Sequence, residues 1–251
     1  MKLIRLAAAL SAAAALSLSG LATASATPVA PLAKAAVRPA PEIIAGSVAD
    51  FSTVPYAAQQ YVNGSFNCSA SIISATWVLL AKHCVENVSA SSITFKLGSA
   101  TRGQGTTIGV KRVAQWSSGD VALAELKSAF QGSYATLGAG NPSVGASGNI
   151  YGWGRETVSG PAASQLKTAV VQVTGLDSSH WPGPAIAHKG IDGQALYGDS
   201  GGPLVIGGKV VGVCSGPVSS SDIGDAHGNV LYASVPASAS WIQSVSGVSA
   251  Q

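Results

Sequence analysis

One serine stands between an acid and paired glycines in Gly198-Asp199-Ser200-Gly201-Gly202-Pro203, and the apolar run Leu204, Val205, Ile206 follows. That setting suits a nucleophile. A serine hydroxyl attacks weakly at neutral pH, so acyl transfer needs a base beside it and hydrogen-bond donors for the oxyanion formed on the substrate. The backbone N–H groups of Gly198 and Ser200 are candidate donors. Gly198 has no side chain to keep a substrate away, and Gly201 and Gly202 permit a tight path beyond the serine. By itself the hexapeptide also reads as a Gly-rich turn between strands. A base and an acid are nevertheless available: His83 in Ala81-Lys82-His83-Cys84, after the apolar run 77–80, and Asp120 in Gly119-Asp120-Val121-Ala122-Leu123. Taken singly, His83 reads equally as a core histidine and Asp120 as a strand-start or cap acid.

The order His83, Asp120, Ser200 resembles that of the chymotrypsin/trypsin-like serine endopeptidases. The resemblance runs from Ile43 to about Val245 and includes Ile43-Ile44-Ala45-Gly46, Cys68 with Cys84, Gly152-Trp153-Gly154, and Tyr232 to Trp241-Ile242. It implies that His83 is the general base, that Asp120 orients it, that Ser200 is the nucleophile, and that Gly198 and Ser200 form the oxyanion hole. Ser215 would support Asp120 through a hydrogen bond. A Cys68–Cys84 disulfide would pin the His83 loop and contribute roughly 3 kcal/mol. Cleavage before Ile43 would free an ammonium that pairs with Asp199 and orders the oxyanion hole, making the precursor inactive. Two residues depart from the family pattern: Glu42, not a basic residue, precedes Ile43, and Ala45 replaces a glycine. The activating protease is therefore expected not to be trypsin-like.

The resemblance also assigns the specificity pocket. Gln194 falls where trypsins carry an acid, so cleavage after Lys or Arg is disfavoured. Val230 replaces a pocket-lining glycine, Gly216-Pro217 replaces an aromatic-glycine pair, and Leu196 stands where relatives have a cysteine. A narrowed pocket would favour small or medium uncharged side chains.

The elements that must position these groups read as all-β. Candidate strands fall at 59–62, 69–74, 77–81, 93–97 and 107–115, then at 149–151, 166–174, 204–206, 210–214 and 230–234, separated by Gly, Ser and Asn turns. Gly207-Gly208 marks a hairpin. The expected architecture is two six-stranded antiparallel β-barrels with a short C-terminal helix begun by Pro236, its Trp241, Ile242 and Val245 facing the core. A linker at 128–133 would put His83 and Asp120 on one barrel and Ser200 on the other, with catalysis in the cleft between them.

Lys2 and Arg5 precede an apolar, alanine-rich segment, and Ala24-Ser25-Ala26 offers a signal-peptidase site, so residues 1–26 read as a secretory signal peptide. Residues 27–42, with four prolines, read as a propeptide, and 43–251 as the folded domain. Removing Lys2, Arg5, Lys34, Arg38 and Glu42 from the chain's 14 basic and 11 acidic residues leaves ten of each. A neutral mature domain gives no electrostatic reason to expect nucleic acid or an anionic membrane as partner. The expected partners are a protein or peptide substrate and an activating protease, with the mature chain a monomer that needs no cofactor. Cys214 reads as a buried free thiol. His180, His188 and His227 read as surface-loop residues, and Asp222, Asp225 and Asn229 as a solvated turn, so no metal site is expected. Two other functions fit the same residues: a catalytically idle homologue that binds a partner through the cleft, and an esterase.

Overall fold

In a computed structural model, residues 43–177, 181 and 183–251 are described. The expected signal peptide and propeptide, Glu42 and His180 lie outside them. After a two-residue strand β1 (Ser47–Val48), the first barrel is built from β2 (Ala57–Val62), β3 (Ser65–Ser74), β4 (Trp77–Leu80), β5 (Ile93–Leu97), β6 (Thr106–Gln115) and β7 (Ala122–Leu126), closed in the order β2-β3-β4-β7-β6-β5. The second uses β8 (Ser147–Gly152), β9 (Lys167–Asp177), β10 (Ala185–Gly190), β11 (Pro203–Ile206), β12 (Lys209–Pro217) and β13 (Asn229–Ser234). Its order is β9-β10-β13-β12-β11-β8, and β8 pairs back onto β9 to close it. Closure leaves neither sheet with a long free edge.

Strand alternation explains the inward faces. In β5, Ile93, Phe95 and Leu97 are buried while Thr94 and Lys96 are partly exposed, the period of two that a pleated strand imposes. Gly207 and Gly208 join β11 to β12 with φ of +58° and +75°. No atom lies within 4 Å of a Cβ built on either, so their left-handed backbone, not crowding, is what favours glycine. The helix α1 (Val235–Ser246) starts at Ser234, whose hydroxyl accepts the Ala237 N–H at 3.1 Å, and ends at Gly247 with φ +76°. Ile242 is buried, and Trp241 and Val245 pack partly buried against the same core as Val210 and Val213. That ties the C-terminus to the second barrel.

Two barrel strands were not anticipated, β7 and β10, nor was the short β1. β10 also corrects the reading of His188 as a surface-loop residue. The residue is fully buried, pairs with Val230 in register, and places its ring 4.7 Å from that of Tyr232. Burial pushes its pKa down to about 3, so the imidazole is neutral. Polar neighbours in sequence hid an inward-pointing position. His227, in the loop before β13, is exposed as expected of a surface-loop residue, and its Nδ1 lies 3.3 Å from the Gly190 carbonyl.

Cys68 on β3 and Cys84 are joined by a disulfide, and Cys214 is free and buried. Replacing both bridged cysteines with serine is expected to lower stability by about 3 kcal/mol, read as the shift of the denaturant midpoint at constant slope.

Candidate active site

Register places His83 beside Asp120. Strands β4 and β7 are antiparallel with Leu80 opposite Ala122, so the residues just past each strand end continue to approach. The Lys82 N–H reaches the Asp120 carbonyl at 3.3 Å. A single turn of 3-10 helix, Lys82–Cys84, then turns His83 toward the carboxylate, with its end held by the disulfide. Asp120 is 3% exposed and is gripped twice: His83 N–H donates to Oδ1 at 2.9 Å, and His83 Nδ1 lies 2.8 Å from Oδ2. A buried carboxylate accepting from Nδ1–H fixes both ring plane and tautomer, leaving Nε2 as the acceptor.

Ser200 comes from the second barrel, at the end of a loop that only glycine permits. Gly198 and Gly201 have φ of +98° and +80°. A Cβ on Gly201 would stand 2.3 Å from the Ser69 carbonyl. The Ser69 N–H donates to the Ser200 carbonyl at 2.9 Å, and the Ser69 hydroxyl donates to the Gly198 carbonyl at 3.0 Å while accepting the Trp153 N–H at 3.1 Å. Ser69, on β3 of the first barrel, therefore clamps the peptide units of both Gly198 and Ser200. It was not singled out in the sequence, because a serine inside an apolar strand carries no local signal of a partner 129 positions away. Among the described residues, the N–H groups of Gly198 and Ser200 donate to no protein acceptor.

Asp199 points the other way, into the protein. It is 1% exposed, and its carboxylate accepts the Gly154 N–H at 2.7 Å and the Leu196 N–H at 2.9 Å. Side chains at Gly152 or Gly154 would overlap it, with distances of 2.1 and 2.4 Å from a built Cβ. Burial pushes its pKa up to about 7, against the opposing pull of the two N–H donors. Among the described residues it forms no ion pair.

Residues 43–242 match the trypsin family model. The chain belongs to the trypsin-like serine protease family. Curated relatives include trypsin alpha of Drosophila erecta, 31% identical over 80% of this chain and 86% of its own length. Trypsin delta of Drosophila melanogaster is 32% identical over 80% and 87%, and serine protease SP24D of Anopheles gambiae 30% over 80% of each. The fold is shared with human heparin binding protein, at a TM-score of 0.69 and 21% identity over 80% of this chain and 96% of that one. It is shared also with neuropsin, a serine protease expressed in the limbic system of mouse brain, at 0.68 and 22% over 80% and 98%.

In this trypsin-like chain His83 and Ser200 open onto one cavity of about 340 Å³, lined also by Leu196, Cys214, Ser215, Gly216, Pro217 and Val230. No hydrogen bond joins the Ser200 hydroxyl to the imidazole, a contact that often tightens only when substrate binds. Of the three residues expected in the specificity pocket, Gly216 and Val230 line the cavity and Gln194 does not. Gln194 is fully buried, its amide donating to the Gly228 carbonyl at 2.8 Å and accepting the Ala195 N–H at 2.8 Å. Ser215 also departs from expectation: its hydroxyl donates to the Val213 carbonyl at 3.4 Å, two residues back on its own strand, rather than to Asp120.

One acid borders the cavity, Asp222, read from sequence as part of a solvated turn. Its Oδ1 accepts from the Asn229 backbone and side chain at 2.8 and 3.4 Å, and its Oδ2 from the Ser219 backbone and hydroxyl at 2.9 and 2.6 Å. Burial pushes its pKa up, but these donors prevail and hold the group below the usual range. All four acceptor sites are occupied, leaving none for a substrate cation. Among the described residues the one cluster with metal-ligand proximity is Cys68, His83 and Cys84, whose two sulfurs are bonded to each other and so offer no thiolates.

Proposed function

We propose that the mature chain is a secreted serine endopeptidase working through an acyl-enzyme. The observation that carries this reading is the His83 imidazole, held by Asp120 at 2.8 Å, opening onto the same cavity as Ser200. Ser200 Oγ attacks the scissile carbonyl as His83 Nε2 takes its proton. The oxyanion forms against the N–H groups of Gly198 and Ser200, which no protein acceptor among the described residues engages. His83 then protonates the departing amine, and water repeats the sequence to release the acid. Asp120 stays ionised throughout and holds the ring.

Residues 1–26 act as the signal peptide and 27–42 as the propeptide of an inactive precursor, with the mature enzyme a monomer of 43–251. Ile43 is fully buried in the second-barrel core, and the Ile44 carbonyl accepts the Gln194 N–H at 3.0 Å, two residues before a donor to Asp199. A new amine at Ile43 would arise beside the segment that holds Asp199. In the uncut chain Ile43 has φ +54°, a left-handed conformation that costs a β-branched residue about 1–3 kcal/mol. Breaking the preceding peptide bond releases that constraint.

The cavity wall favours uncharged side chains of small or medium size. Val230 is the residue that narrows it, and Val230→Gly is expected to raise kcat/KM for substrates with phenylalanine before the scissile bond by about tenfold or more. Digesting an unfolded protein and mapping the new termini by mass spectrometry tests the reading. Cuts within the chain after alanine, valine or similar residues support it. Cuts confined to Lys and Arg contradict the specificity, ester hydrolysis alone identifies an esterase, and no turnover by correctly processed protein identifies an idle homologue.

A further inference from the structure

We propose that Trp181 forms the aromatic wall of the substrate cleft beside His83, selecting an apolar side chain at the substrate position immediately before the residue held in the cavity. The inference rests on the protease reading and adds a subsite to it. Trp181 is 58% exposed although it is the largest of side chains, and two atoms of its six-membered ring lie 3.2 Å from where a Cβ on Gly216 would stand. The indole therefore rests on a residue whose missing side chain makes room for it. Its centroid is 6.1 Å from that of His83, with the rings tilted by 57°. With Lys82, His83, Glu86, Asp120 and Gly183 it borders a second depression of about 300 Å³, which shares His83 with the Val230 cavity.

The backbone shows how a substrate would meet it. Strand β11 pairs with β12 only as far as Val213, so Ser215–Pro217 keep one edge unpaired while the other bonds β13. An extended peptide can add along that edge. Its successive side chains must point to opposite sides. If one enters the cavity lined by Val230, its predecessor points away, toward the space between His83 and Trp181. Gly216 offers no side chain there, so the indole is the apolar surface available to that residue.

The test measures kcat/KM for peptide anilides sharing alanine before the scissile bond and carrying Gly, Ser, Asp, Leu or Phe one position earlier. Enzyme concentration is fixed by titrating Ser200 with an organophosphorus probe. Wild-type protein is expected to favour Leu and Phe over Gly, Ser and Asp by about tenfold or more. Trp181→Ala should reduce that ratio to within about twofold, each rate being taken per probe-titrated site, and Trp181→Phe should keep most of it. Gly216→Ala, which crowds the indole, should weaken the preference as well. An unchanged ranking in Trp181→Ala, or no ranking in wild type that labels normally, overturns the subsite. Failure of processed wild type to label at Ser200 overturns instead the protease reading beneath it.

Discussion

Replacing Ser200 with alanine is expected to lower kcat for peptide hydrolysis by about a millionfold while leaving the denaturation midpoint within error of wild type. Ser200 is only partly buried, and its hydroxyl makes no hydrogen bond to a described residue, so the fold loses little with it. Asp120→Asn should cost less, about ten-thousandfold, because the pair at 2.8 Å would survive with the wrong tautomer. A double variant of Ser200 and His83 should be scarcely slower than Ser200→Ala alone, since the two act as one unit. Steady-state kinetics on purified, processed protein read all three. Additive losses would show that the residues act separately.

The second large effect concerns Asp199. In the uncut chain its buried carboxyl has a pKa near 7, above the 3.8 of an unfolded chain. Its contribution to stability is therefore fully present below about pH 4 and is lost as pH rises through about 7. The precursor should lose a few kcal/mol across that window, and Asp199→Asn should abolish the slope. Denaturant titrations of precursor and variant at several pH values measure this directly. If a free Ile43 ammonium pairs with it, the carboxyl pKa falls and the cut protein should lack the slope too. In the mature protein Asp199→Asn is expected to lower kcat by about a hundred- to a thousandfold, the scale of losing one oxyanion donor, because Gly198 and Ser200 flank it. A precursor as active as the cut form would contradict the switch.

Much of the fold was legible because its signals are local. Alternation in Ile93-Thr94-Phe95-Lys96-Leu97, the Gly207-Gly208 turn and the Ser234-Val235-Pro236 helix start each act within a few residues. β10 was missed because His188 and Lys189 break the apolar alternation, and only the barrel shows that His188 points inward. Site residues followed the same division. His83, Asp120 and Ser200 stand in short motifs whose types state their chemistry. Ser69 and Trp181 lie against partners remote in sequence, and no spacing rule finds them. Counting along the chain placed Gln194 at the pocket, yet its side chain turns to Gly228 and leaves the lining to Ala195 and Leu196. Ser215 erred in the same way, its position being right for the cavity and its hydrogen bond turned to Val213.

The central claim is that Ser200 is a nucleophile activated by His83. It is tested most directly by treating processed protein with a fluorophosphonate probe and mapping the modified peptide by mass spectrometry. One equivalent of label on Ser200, lost in Ser200→Ala and strongly slowed in His83→Ala, is the predicted result. A folded, correctly processed protein that takes up no Ser200-dependent label would contradict it.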